Sequence, residues 1–493
     1  MRLSTILSAL LLCACALGVR AGEAEREWFR LQLGAETIGL VWRERRVEGE
    51  VVTHHEHFEA RFRRNGEPLD FRSDEIHRET RDARPLGFRM EQQTGGSTLS
   101  IEGEVVANRI HLRTRDGGRE QSRWVDWPQG ALMSEGLQQA TAALPELDGA
   151  STRTRVFLVT SQTAADATIT RVGHETIRID DQAQEAIRYD TELALGTEPM
   201  RSTSHEDTEG RTLRTAIPMF GQQLLLERMA GPPASDSAAI AGVELYDYAL
   251  IASPRPLTTE ERRNALRYAL AWSGDSVLHG VASDEQHWQP ESDTQATLSV
   301  TPLPSSRRAE PPTARDREAT VWLDANDPGI RRFAKRATHG AKDDHTRMRM
   351  LEAAVARHIR NKSMRVGYAS ASQALAAREG DCTEHALLLA AAGRALGIAT
   401  RVASGVAYVE RFGSRSDVFV PHAWAQAWVD DHWRSYDAAL GRFASDHIAF
   451  AIGHGDPADH FAAVAWIGAL RIESIGSATS SAASPPRQAA DER

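Results

Sequence analysis

From residue 27 to about residue 232, apolar and polar side chains alternate along the chain. The stretch WFRLQLGAETIGLVWRERRV, starting at Trp28, has this period of two, with Gly34 and Gly39 as breaks. HFEARFRRNGEPLDF carries an Asn65-Gly66 hairpin signal. GSTLSIEGEVVANRIHLRTRDGG continues the pattern. Alternation with charged outer positions predicts an antiparallel sheet with one buried face. GAETI at 34–38 returns as GHETI at 173–177, a short echo that allows two similar β halves. The segment SEGLQQATAALPEL between them has a helical pattern.

The pattern changes after residue 232. PPASDSAAIAG reads as a loop, and VELYDYALIAS and RNALRYALAWSG read as strands of a small β unit, the second also fitting a short helix. TPLPSSRRAEPPTARDRE is rich in Pro, Ser and Arg and reads as a linker. Beyond it the period becomes helical: Ile330, Phe333 and Ala334, then Met350, Leu351, Ala354 and Ile359, share faces. The chain therefore divides into an N-terminal segment at 1–21, an antiparallel β domain at 22–232, a small β unit with linker at 233–320, a mixed domain at 321–473 and a disordered tail at 474–493.

The N-terminus adds a compartment. MRLSTILSALLLCACALGVRA has Arg2, an apolar run to about Leu17 and a small-residue site at Ala21, the order of a secretory signal peptide. The run falls short of the ~20 apolar residues a spanning helix needs, and no later stretch reaches that length. Cys15 after Ala14 offers a lipoprotein signal as the lesser alternative. The expectation is an exported protein, periplasmic or secreted, with no transmembrane segment in the mature chain. The formal charge of −10 becomes −12 without Arg2 and Arg20, and its even spread argues against nucleic acid as a partner.

Cysteine usage then singles out one residue. The chain has three cysteines, Cys13, Cys15 and Cys382, and the first two leave with the signal. An unpaired cysteine in an oxidising compartment points to an intermolecular bridge or a reactive thiol. In EGDCTEHALLLAAAGRALGIATRV, Asp381 caps a helix and Glu384 completes a capping box, so Cys382 is the first helical residue. Exposed N–H groups and the helix dipole favour a thiolate there. The body of that helix is apolar on most faces, which predicts central burial, and Gly397 ends it.

A base and its orienter follow. IATRVASGVAYV reads as a strand, and PHAWAQAWVDDHWRSYDAAL reads as a hairpin turning at Asp430-Asp431. A two-residue turn pairs Val429 with His432 and places Asp437 opposite Trp424, two residues along from His422. His422 and Asp437 are then diagonal neighbours on one face, ~7–8 Å apart at the backbone and within reach of a hydrogen bond. Thiol, imidazole and carboxylate form the triad logic of acyl transfer, with Cys382 as nucleophile, His422 as base and Asp437 as orienter.

REGDCTEHALLLAAAGRALGIATRV, HAWAQAWV and WRSYDAAL resemble the transglutaminase-like superfamily over about residues 325–470. The resemblance implies an α+β, papain-like domain with a central helix packed on an antiparallel sheet. It places the family's nucleophile, base and orienting acid on Cys382, His422 and Asp437, and matches SDHIAFAIG at 445–453 to a segment that closes such domains. The animal members' oxyanion Trp has no counterpart between Trp322 and Cys382, so the second donor beside the Cys382 N–H falls to Tyr368, Gln373 or another group. Nothing resembles the animal enzymes' calcium sites, and no cofactor or metal is expected.

Other clusters read as structural. His55 and His57 share a strand face beside His54, and His454, Asp456, Asp459 and His460 share a loop; each set is a metal candidate that an ordinary polar surface explains. Glu384 is a capping residue and His385 packs beside the site. The sequence therefore predicts an exported acyl-transfer enzyme for amide or isopeptide bonds of a peptide or protein, by hydrolysis or transglutamination. Its N-terminal β region would recruit substrate or a cell-envelope partner. A non-catalytic envelope-binding module with the same fold is the alternative.

Overall fold

The computed structural model describes residues 26–478 apart from 65, 95–96, 117–118, 196–197, 220, 234–239, 241, 274–279, 303–309, 362–368, 457–458, 460–462 and 464–466. The expected signal segment, residues 479–493, Tyr368 and His460 lie outside the described residues. Among the described residues, seven α-helices and three sheets make up an α+β architecture. None of the described helices is long and apolar enough to cross a membrane.

Residues 27–244 build one sheet of sixteen strands. Its first strand, Glu27–Leu33, buries Phe29, Leu31 and Leu33 and turns its alternate residues outward, as period two requires. That strand lies in the middle of the sheet. It pairs with Glu36–Glu48 on one side and, through Trp28 opposite Met229, with Gln222–Met229 on the other. The sheet curls until its distant strands approach each other: Phe157 packs against Phe88 and Trp127, and Gln162 bonds both Arg123 and Thr114. The helix Ser134–Ala142 sits on the inner face, where Glu79 accepts the N–H groups of Glu135 and Gly136. GAETI spans the turn after Leu33, whereas GHETI lies inside the strand Thr163–Ile179 beside a bulge at Gly173.

In the C-terminal part the helix Cys382–Ala395 is central, with twelve of its fourteen residues buried. Helices Pro328–Ala337, Asp344–His358 and Ala371–Ala377 pack around it, and Leu387, Leu388 and Leu389 share a core with Ala423, Ala425 and Ala427 of the adjoining sheet. Small side chains on that sheet let the helix approach closely. The sheet contains Thr400–Phe412, Arg415–Val429, His432–Tyr436 and His447–Gly453, all antiparallel, with Ile251–Ala252 on the far edge of Arg415–Val429. A third sheet of four strands includes Leu266–Trp272 paired with Leu470–Ser477, so the first residues of the tail expected at 474–493 are instead in a strand, held by the ladder to Leu266–Trp272. RNALRYALAWSG therefore forms a strand. VELYDYALIAS does not: its middle is the short helix Leu245–Ala249, because the Glu244 side chain accepts the Tyr246 N–H and the Tyr246 ring packs edge-on against Phe412.

Candidate active site

Local chemistry fixes the start of the central helix. The Asp381 side chain accepts the Thr383 N–H at 2.8 Å, and the Glu384 carboxylate returns to the Asp381 N–H at 2.9 Å. The same carboxylate also meets the Ala369 N–H, tying the preceding segment to the helix. Gly380 is required by this packing, since a Cβ there would lie 2.4 Å from the Glu384 Cβ. The His385 ring donates from Nδ1 to the Asp381 carbonyl at 2.6 Å, which locks the first turn. Cys382 is thereby held at the helix start, partly exposed, with its thiol in a hydrogen bond to the His422 ring.

The hairpin places the other two groups. Val429 pairs with His432 and Trp428 with Trp433, and Asp430 and Asp431 both have positive φ, the backbone of a tight two-residue turn. The register brings His422 Nε2 to 2.9 Å from Asp437 Oδ2 with both side chains buried. Cys382, His422 and Asp437 thus lie in one hydrogen-bonded line. Trp424 and Gln426, on the same strand, both donate to Ser435 Oγ across the hairpin and clamp its two arms together.

Asp437 is surrounded by donors. Its Oδ1 accepts the N–H groups of Ala439 and Leu440, at 2.8 and 3.2 Å. Its own N–H donates to Glu352 Oε1 at 2.8 Å, from the helix Asp344–His358. Its Oδ2 receives a second imidazole, His447 Nε2, at 3.1 Å. Neither Glu352 nor His447 was assigned a role from the sequence. Asp-His in SDHIAFAIG was the only trace of the second imidazole; for Glu352 there was none.

The electrostatics follow from these contacts. Burial works against the His422 cation, but the Asp437 charge and hydrogen bond, with a smaller part from Cys382, carry the ring up to about 10. Burial likewise opposes the Asp437 charge, and the two imidazoles hold it well below the usual carboxylate range. At the Cys382 thiol, burial and the Asp381 carboxylate oppose ionisation, and the His422 hydrogen bond and charge favour it. Glu352 is pushed up to about 7, chiefly by burial. Among the described residues, one set of three donors is close enough to hold an ion: one atom each from His422, Asp437 and His447, within 4.8 Å of one another. Here the carboxylate accepts both rings, which is the geometry of hydrogen bonding.

The other candidates are placed elsewhere. His55 and His57 both bond Asp74 Oδ1, and His54 turns to the opposite face to meet Glu135 at 2.8 Å. Asp459 accepts the backbone N–H groups of His454 and Asp456, and His454 faces Arg394. Gln373 commits its side-chain oxygen to the Ser370 N–H, in the cap of the helix Ala371–Ala377. Trp433 lies under the Arg401 guanidinium as part of the buried wall.

Residues 331–438 match the family model of the transglutaminase-like superfamily, a segment that contains Cys382, His422 and Asp437. No curated protein matches the chain. Solved structures similar to parts of it include a candidate cysteine protease from Cytophaga hutchinsonii, 16% identical over 43% of this chain and 84% of that one, with a TM-score of 0.28. A β-barrel-like protein of a domain of unknown function from Brucella abortus is 11% identical over 42% of this chain and 95% of that one, at a TM-score of 0.32. A candidate protease from Parabacteroides distasonis is 12% identical over 71% of this chain and 68% of that one, at 0.19.

Proposed function

The chain carries a transglutaminase-like domain at residues 331–438, and from this we propose that it is a thiol-dependent acyl-transfer enzyme acting on amide or isopeptide bonds of a peptide or protein. The observation that carries the reading is His422, hydrogen-bonded on one side to the Cys382 thiol and on the other to Asp437. An imidazole held between a thiol and a carboxylate is arranged to take the thiol proton and to hand it on.

In the first half-reaction the Cys382 thiolate attacks the substrate carbonyl carbon and the carbonyl oxygen takes up the negative charge. The Cys382 N–H, at the first position of the helix, faces where that charge forms. The His422 imidazolium then gives its proton to the leaving nitrogen, the C–N bond breaks and a thioester remains on Cys382. In the second half, water or an amine attacks the thioester, His422 takes the proton of the incoming group, and the thiolate leaves. Asp437 fixes the ring so that one nitrogen always faces sulfur. The signal-like N-terminus supports an exported enzyme, periplasmic or secreted, and the curled β sheet is the surface for recruiting substrate or an envelope partner.

Iodoacetamide labelling tests the reading. Rapid modification of Cys382 near neutral pH, slowed by His422→Ala, is the expected result. A thiol as slow as a free cysteine in both forms would support a binding module in place of an enzyme. Incorporation of a labelled amine into a glutamine peptide separates transglutamination from hydrolysis.

A further inference from the structure

His447 stands outside the three-residue line, yet both of its ring nitrogens face carboxylates. Nε2 is 3.1 Å from Asp437 Oδ2, and Nδ1 is 2.8 Å from Asp446 Oδ1. A neutral imidazole has one N–H and one lone pair, so a neutral ring would aim that lone pair at a carboxylate oxygen. Two ionised acceptors at these distances require two donors, which only the imidazolium supplies. Both carboxylates stabilise that charge and raise the ring above its ordinary value, against the opposing effect of burial.

The surroundings complete an alternating series. Arg262 Nη1 stands 3.6 Å from Asp446 Oδ2, and beyond it come Asp446, His447, Asp437, His422 and Cys382. With the thiol ionised, positive and negative groups alternate along this line and cancel. Trp424 and Phe443 pack against the His447 ring, with centroids 5.2 and 5.1 Å away, and hold it between the two carboxylates. The segment that bears it is held from behind: the Ser445 N–H and Oγ donate to the Arg262 carbonyl, and the Tyr268 hydroxyl donates to the Ser445 carbonyl. Three further charged groups touch the line: Glu352 on the Asp437 N–H, Glu410 on Arg262 at 2.8 Å and Asp381 beside Cys382.

We propose that His447 is a fixed imidazolium and a positioning residue for the acyl-transfer reaction, sharing the Asp437 carboxylate with His422 and so limiting how tightly His422 keeps its proton. The proposal rests on the reading of Cys382 and His422 as nucleophile and base. An undivided Asp437 would hold the His422 proton more firmly, making that ring a poorer acid toward the leaving nitrogen. The His447 charge also favours the thiolate. Both effects require a cation at residue 447, and a filled space alone does not produce them.

The test is the pH profile of Cys382 alkylation by iodoacetamide in the full chain. His447→Gln is expected to move the acid limb toward alkaline pH by about one unit, because the thiolate loses a cation. Rates lowered at every pH with the limb unmoved would mean a structural role and overturn the proposal alone. A wild-type limb at the position of a free cysteine would overturn the acyl-transfer reading as well. Imidazole nitrogen NMR of the wild-type chain gives an answer that does not depend on any variant folding: two protonated ring nitrogens at His447 at pH 7.5 are expected, and one unprotonated nitrogen contradicts the proposal.

Discussion

The curled sheet and the candidate active site both bury charged side chains, but the cations that dominate differ. In the sheet, Arg43 meets Glu56 at 2.6 Å and Arg45 donates twice to Glu135, at 2.9 Å each. Glu79, fully buried, takes the first N–H groups of the helix Ser134–Ala142. In the pocket the buried carboxylates Asp437 and Asp446 meet imidazoles. Guanidinium keeps its proton at every accessible pH, so an arginine pair is a fixed strut. An imidazole proton is lost near neutral pH unless a neighbour holds it, so an imidazole pair can be tuned and can pass a proton on. Histidines occur in the sheet too, as at His54 beside Glu135, but Cys382 is the sole cysteine after Cys15, and the imidazole of His422 faces it. The contrast separates support from chemistry.

Perturbing the two regions should therefore have different signatures. The largest effect belongs to Cys382→Ala, which should abolish thioester formation with an activated ester, read by mass spectrometry of the acylated chain. Asp437→Asn should follow, lowering acyl transfer by ~10²–10⁴-fold while the fold, checked by circular dichroism, persists. Gly380→Ala forces its Cβ against Glu384 and should cost ~1–3 kcal/mol in denaturant melts, together with slower labelling of Cys382. Glu79→Ala exposes the contrast from the other side: it should cost ~1–3 kcal/mol by leaving helix N–H groups unpaired, with no movement of the Cys382 labelling profile. A shift of that profile would mean the sheet and the pocket are not electrostatically separate.

The smallest effect concerns stability against pH. His422 is raised to about 10 in the folded chain, above its ordinary value near 6.5. Its contribution is fully present below about 6.5 and is lost as pH rises toward 10. Asp437 is depressed, so its contribution is present above about 4 and is lost as pH falls further. The melting temperatures of wild type and His422→Ala should accordingly differ more at pH 6 than at pH 10.5.

The features that the sequence revealed are those set by local rules. Asp381 and Glu384 announced the helix start because a capping box spans four residues. The position of Asp437 beside His422 followed from the turn at Asp430-Asp431, since a two-residue turn fixes the register of both arms. Alternation marked the strands but could not tell that Trp28 would pair with Met229, two hundred residues away, in one continuous sheet. His447 was hidden for a similar reason. It reaches Asp437 through pairing of His447–Gly453 with Thr400–Phe412, where a bulge between Ser404 and Gly405 shifts the register. No turn links those strands, so spacing alone could not bring the second imidazole to the carboxylate. Glu352 arrives from a helix eighty-five residues upstream of Asp437, which no local pattern connects to it.

The pH dependence of Cys382 alkylation in wild type and His422→Ala bears most directly on the claim that His422 activates the thiol. The account predicts a wild-type rate at pH 6.5 at least ~10-fold above that of the variant, with the variant's rate rising through about pH 8.5 or above. Coincident profiles, both rising where a free cysteine ionises, would contradict it.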